Sequence, residues 1–205
     1  LADYLLDELY EILNPTKGRW LGLVEGHHFH EYRAGYTSDM KLAEKLETKF
    51  LGSCGIIRLV FTTSGHNIPY VIWVHHGVGN GQTGYYPLGR LEKIAAAWEE
   101  IDCFAMGHTT KSAVEAMNKT RPRWFHEGKA PDITHRKVTL IGTGGYSRTY
   151  REGAKQGNIP RGGYAEQKMM APAVLGSPTV NIYPYWATGP TGGHGYMGID
   201  ARGEA

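Results

Sequence analysis

Apolar residues recur at helical spacing near the start of the chain, where Leu5, Leu6, Leu9, Ile12 and Leu13 line one face and Asn14-Pro15 breaks the pattern. This predicts a first helix that ends at about residue 13. Trp20, Leu21, Leu23 and Val24 then form a short apolar run that closes at Glu25-Gly26, the pattern of a buried strand feeding a tight turn. Ser38 or Asp39 is placed to cap a second helix, with Leu42, Ala43 and Leu46 on one face and lysines and glutamates on the other. Two β-branched and aromatic runs, Ile56 to Thr63 and Tyr70 to Val74, flank Ser64-Gly65-His66-Asn67 and predict a hairpin.

Leu88, Leu91, Ile94, Ala95 and Trp98 supply a further amphipathic helix, followed by the short run Cys103-Phe104-Ala105-Met106. Helix and strand alternate, so the class is α/β. A strand is expected at Val138 to Ile141, after which the texture changes. Half of the 28 glycines follow Ile141, mixed with tyrosines and prolines, and predict irregular loops and short strands at a sheet edge. The expected organisation is one domain over residues 1–187 and a Gly-rich flexible tail over 188–205.

Composition narrows the function classes. A chain of 205 residues with 41% hydrophobic content can build one good-sized core. Its 22 basic and 20 acidic residues leave a net charge of only +2, without the broad electrostatic footprint of a nucleic-acid or anionic-membrane protein. No apolar stretch approaches the roughly 20 residues of a membrane span. Cys54 and Cys103 lack the close pairing of structural zinc sites and read as buried thiols, which favours a reducing cytoplasm. The chain opens at Leu1 directly into a helical pattern, as an amino-terminally shortened domain would.

The chemistry lies in three turns: Gly26-His27-His28, His75-His76-Gly77 and Gly107-His108-Thr109. Each follows an apolar strand-like run. In open α/β sheets the loops at the carboxyl ends of strands converge, so three imidazoles delivered there can share one ion. Neutral imidazole suits zinc, iron, manganese or nickel, and a three-nitrogen set leaves positions open for water. His30, His66, His126, His135 and His194 have no such context and read as exposed or hydrogen-bonded side chains.

These motifs resemble those of the calcineurin-like metallophosphoesterase superfamily, most closely its phage- and prophage-type members. Gly26-His27-His28 is similar to the family's Gly-Asn-His-Asp/Glu motif, Val74-His75-His76-Gly77 to its central histidine motif, and Gly107-His108-Thr109-Thr110 to its Gly-His-x-His motif. The resemblance spans roughly residues 1 to 180. It implies part of a four-layer αββα sandwich with mixed sheets and a site for two divalent ions (Mn, Fe, Zn or Ni) in the full-length protein. It also implies hydrolysis of a phosphomonoester or phosphodiester by metal-activated water.

Carried over residue by residue, the resemblance makes His27, His75 and His108 metal ligands and His28 the catalytic group at the leaving oxygen. Gly26, His76, Gly77 and Thr110 then shape the metal and substrate loops. Several positions depart from the family pattern. His27 replaces an asparagine, Phe29 replaces an acidic residue so that Glu25 or Glu31 would have to orient His28, and Thr110 replaces the last histidine. The Asp-x-His and Gly-Asp-x-x-Asp sequences of the second metal site do not occur in the chain.

The expected partner is thus a small phosphate ester or a nucleic-acid phosphodiester, with no membrane. The shortened chain is expected to lack full activity. Two other readings compete: a noncatalytic phage or prophage binding or scaffold module that retains the fold, and a one-metal hydrolase of another family. The glycines of Gly77-Val78-Gly79-Asn80-Gly81 read as a flexible loop beside the metal rather than a phosphate cradle. Arg90, Lys111, Arg121 and Arg123 read mostly as solvated charges, and the tyrosines of the carboxyl half as packing on a sheet edge.

Overall fold

A computed structural model describes residues 2–63, 66–78, 85–123, 132–146, 150–172, 174–187 and 196–204. The chain divides into two compact units, Leu1–Ile57 with Trp73–Gly77, and Arg58–Ile72 with Val78–Ala205.

In the first unit, helix α1 (Ala2–Leu13) ends in a 3-10 turn at Asn14–Thr16, as the Asn-Pro break predicts. It buries Leu6 and packs beside α2 (Ser38–Lys45), whose own buried residues are Ala43 and, just beyond its end, Leu46. Lys41–Asp3 (2.7 Å) and Lys45–Asp7 (2.9 Å) pair α2 with α1 across their exposed edges. Such exposed pairs add little, so the small apolar contact holds the two helices. The cap of α2 is Thr37 rather than Ser38 or Asp39: its hydroxyl accepts from the Met40 N–H at 3.3 Å.

The predicted strand at Trp20 to Val24 does not form. Leu23 makes a single bridge to Phe50, with its N–H on the Lys49 carbonyl and its carbonyl accepting from Leu51. Gly22 eases the crossing, since a Cβ there would sit 2.6 Å from the Leu51 side chain, which would have to move.

The mixed sheet that defines the α/β class has five strands: β1 (Cys54–Thr63), β2 (His66–His75), β3 (Cys103–Met106), β4 (Ser112–Arg123) and β5 (Asp132–Thr143), in the order β1-β2-β3-β5-β4. β1 and β2 are the expected hairpin pair, and residues 64–65 of their turn lie outside the described residues. β3 runs parallel to β5, from Cys103 opposite Thr139 to Met106 opposite Gly142, whereas β4 pairs antiparallel with β5 along its whole length. The strand expected at Val138 to Ile141 is therefore much longer, and β4 is a strand that apolar periodicity did not predict.

Between β2 and β3 runs α3 (Tyr85–Ala97), which packs on β3, β4 and β5 in the second unit. Phe104, Leu91, Leu140, Val138 and Pro87 are fully buried there. Gly142 admits Pro87 closely: a Cβ at that glycine would lie 2.7 Å from the proline ring. Asp102 ties the start of β3 to its neighbours, accepting from the Val71 N–H at 2.8 Å and from Arg136 Nε and Nη2 at 3.1 and 2.7 Å. Beyond β5 come two-residue strands β6 (Lys155–Gln156) and β7 (Ile159–Pro160), the short helix α4 (Tyr164–Gln167), and a hairpin of β8 (Thr179–Ala187) with β9 (Tyr196–Glu204). The stretch expected to be a flexible tail thus contains β9; residues 188–195 lie outside the described residues.

Cys103 and Tyr70 share a buried cluster with Ile141. Burial pushes the Cys103 thiol up to about 12 from 9.0 and drives the Tyr70 hydroxyl upward as well. The folded state keeps Cys103 protonated where the unfolded chain already ionises. The stability it contributes is complete below pH 9.0 and is lost as pH rises through about 12. A thiol reagent at pH about 8 is expected to label exposed Cys54 in the native protein and Cys103 only after unfolding. Mass spectrometry of the labelled peptides checks this, and equal labelling rates would contradict the buried placement.

Candidate metal centre

The turn Gly26-His27-His28 is held from below by the first turn of α2. Gly26 N–H donates to Asp39 Oδ2 at 2.8 Å, and His30 N–H donates to Ser38 Oγ at 3.0 Å while the His30 carbonyl accepts from Ser38 N–H at 2.9 Å. Both ends of the histidine turn are thereby fixed to one helix end. The Asp39 carboxylate also sits where the helix dipole favours negative charge. Gly26 itself is not required by space, because a Cβ there would meet only ordinary contacts, 3.5 Å to Asp39 and 3.7 Å to the His76 ring.

His76 is the imidazole that meets this turn. Its Nε2 lies 2.8 Å from His27 Nδ1, ring centroids 5.0 Å apart, between residues 49 apart in sequence. The His76 N–H donates to the Ser53 carbonyl at 3.1 Å, which extends the strand pairing one residue past β2 and fixes the backbone that carries the ring. His28 stacks obliquely on His27, with centroids 3.8 Å apart.

His75, the central ligand that the sequence motif suggests, is engaged differently. Successive strand residues point to opposite faces. Its ring stacks on Trp73 at 5.4 Å and 12°, and its Nδ1 accepts from the Gly77 N–H at 2.7 Å. A neutral imidazole has one nitrogen lone pair, and in His75 the Gly77 N–H uses it. The bond is possible because Gly77 takes φ +94°, a conformation that favours glycine. Gly77 therefore anchors His75 while His76 faces His27.

In the second unit, His108 follows β3 and adopts φ +54°, an unusual backbone for a residue with a side chain. The turn is clamped from β5: Thr109 Oγ accepts from Gly144 N–H at 3.0 Å and donates to the Lys111 carbonyl at 3.3 Å. Thr110 lies in this turn, between the clamp and β4. A side chain at Gly144 would lie 2.7 Å from the Gly176 carbonyl, so the glycine after β5 is needed for this approach.

Of the proposed orienting acids, Glu25 accepts from the Thr37 hydroxyl at 3.4 Å, and Glu31 pairs its backbone with Thr37. Asp39 is the acid that positions the turn. Its sequence signal was a helix-start position, which the capping role of the neighbouring Thr37 leaves free for this contact. Arg90, considered as a charge for a transferring phosphoryl group, stands over the Tyr86 ring at 4.9 Å.

The His27–His76 geometry fits an ion with a small adjustment. Zinc–nitrogen bonds of about 2.0–2.1 Å place two ring nitrogens about 3.3 Å apart across a tetrahedral angle, so the pair must open by about half an ångström from 2.8 Å. Without an ion, one ring donates its N–H to the other. Among the described residues there is no second group of three or more His, Cys, Asp or Glu side chains close enough to share an ion.

Comparison with protein-family models, curated proteins and solved structures returned no match. Among the described residues no helix is long and apolar enough to cross a membrane.

Proposed function

We propose that this chain is a metal-dependent phosphoric ester hydrolase in which His27 and His76 of the first unit hold one divalent ion. The observation that carries the reading is the 2.8 Å approach of His27 Nδ1 and His76 Nε2, two imidazoles brought from distant turns into ligand-like proximity. An all-imidazole set favours zinc, iron or nickel over magnesium or calcium. When bound, such an ion lowers the pKa of water to about 7 and polarises a phosphoryl oxygen.

The chain's own residues supply the rest. Asp39 and Ser38 hold the histidine turn, Gly77 locks His75 aside, and His28 is the group set to pass a proton to the leaving oxygen. The resemblance to metallophosphoesterases supports phosphoester chemistry and, with it, a share in a four-layer sandwich. The substitution of Thr110 supports a single ion.

Chelator-treated protein titrated with zinc or manganese and weighed for bound metal is expected to take up one ion per chain. It is then expected to hydrolyse an aryl phosphate or an aryl phosphodiester. No ion bound would overturn the metal reading. One ion bound with no turnover on either ester selects instead the noncatalytic binding module, which Phe29 and Thr110 favour.

A further inference from the structure

Residues 151–167 of the second unit enclose an open trough of about 1040 Å³ that contains none of the histidines. Arg151, Lys155 and Arg161 line it beside the carboxylate of Glu152. A second acid, Glu166, folds over Gly162 at the rim. Arg161 Nη1 donates to the neutral amide of Gln156 at 2.8 Å, which orients the guanidinium without neutralising it. Among the described residues, none of the three cations is in a salt bridge.

Glycines make much of the rest of the lining. Gly153, Gly162 and Gly163 present no side chain, and space beside Gly153 and Gly163 is open. The β6–β7 hairpin that carries Lys155 turns at Gly157, φ +63°, so the cationic arm is held by a defined turn. Tyr150, next in sequence to Arg151, is 49% exposed.

We propose that this trough binds the sugar-phosphate backbone of single-stranded nucleic acid, with phosphates on Arg151, Lys155 and Arg161 and a base stacked on Tyr150. Three spread cations in an open channel suit an extended polyanion rather than one phosphate group. A glycine lining lets a chain of phosphates approach closely, whereas an acidic peptide would need sockets for its side chains. Backbone-tracking cations with an exposed aromatic are the usual means of holding single strands. The inference rests on the proposed phosphoesterase only in making the bound strand a substrate. Binding is tested in chelator, so its failure is separate from failure of the metal site.

The experiment is fluorescence anisotropy of a labelled 12-nucleotide oligothymidine with the full chain in chelator, over a salt series. Three phosphate contacts predict a slope of about −2 in log K against log salt, an affinity about 20-fold weaker at 200 mM than at 50 mM. Arg151→Gln/Lys155→Gln/Arg161→Gln is expected to bind at least about tenfold more weakly with a slope near zero. Tyr150→Leu should lose about fivefold or more with its slope unchanged. The charge-keeping Arg151→Lys/Arg161→Lys variant is expected to retain the slope, which separates charge from folding.

An unchanged triple variant, or no binding by the wild type at 50 mM salt, overturns the proposal. So does equal binding of a duplex of the same length, or displacement by polyglutamate as effective as by unlabelled oligothymidine.

Discussion

His76→Ala is expected to cost about two to three orders of magnitude in zinc affinity, while His75→Ala leaves that affinity within about threefold. Structural zinc sites in small peptides bind with roughly 10–16 kcal/mol over four ligands, which leaves about 2.5–4 kcal/mol for each. His76 presents its Nε2 to His27, and its loss leaves that ring without the partner nitrogen. His75 offers no lone pair while Gly77 N–H occupies Nδ1.

The His75 substitution still removes that hydrogen bond and the stacking on Trp73, so it is expected to lower stability by about 1 kcal/mol without releasing the ion. Isothermal titration with zinc, beside a urea melt of each variant, reads both effects. If His75→Ala loses the ion and His76→Ala keeps it, the ligand returns to the position that the motif comparison favours. On the proposed function, hydrolysis of an aryl ester is expected to follow the same order, since loss of the ion would remove the chemistry that it supplies.

The difference between the adjacent histidines shows what sequence spacing can and cannot resolve. The strand, the glycine after it and the histidine pair were legible, because β-branched residues and a turn glycine leave a local signal. Which of two neighbouring rings faces the partner turn is not local. It depends on where β2 ends, on the φ +94° turn at Gly77, and on the Ser53 carbonyl that catches His76 N–H.

The same division runs through the fold. Helix α3 and the short strand β3 follow their apolar periodicity, with Leu88, Leu91 and Ala95 of the helix and Cys103, Phe104 and Met106 of the strand buried. Helix α1 forms where the pattern predicts but buries only Leu6 of its apolar face and leaves Leu5, Leu9 and Ile12 exposed. β4 did not announce itself: Glu115, Asn118 and Lys119 have weak strand preference, and Pro122 interrupts the run. Its register against β5 makes it a strand, and as the last strand in the sheet it can accommodate a proline. Lys119 gains a role visible only in three dimensions, since its ammonium reaches the carbonyls of Ala95 and Trp98 at the end of α3. Conversely, Trp20 to Val24 has the apolar content of a strand but only one crossing partner, at Phe50. Apolar content alone does not bury this segment, whose Leu21 is exposed, and a ladder needs a neighbour of matching length.

Asp39→Ala is expected to weaken zinc binding by about 10- to 100-fold, the range found when groups that orient metal ligands are removed. The carboxylate holds the Gly26 N–H at 2.8 Å, one residue before His27. Its effect on the ion therefore passes through the backbone of the turn. Asp39→Asn keeps a carbonyl oxygen at that position and is expected to bind zinc within about threefold of the wild type, although it forfeits the charge that favours the start of α2, worth about 0.3–1 kcal/mol. A purely structural role would lower the melting point of both variants and leave the affinity of the folded protein unchanged. A positioning role separates them, with alanine losing affinity and asparagine restoring it. Calorimetric affinities measured well below each melting transition distinguish these outcomes, and equal zinc affinities for Asp39→Ala and wild type would remove Asp39 from the site. The contrast follows from geometry: the turn carrying His27 has no regular ladder to fix it, so the hydrogen bonds at Gly26 and His30 set where its ring stands before an ion arrives.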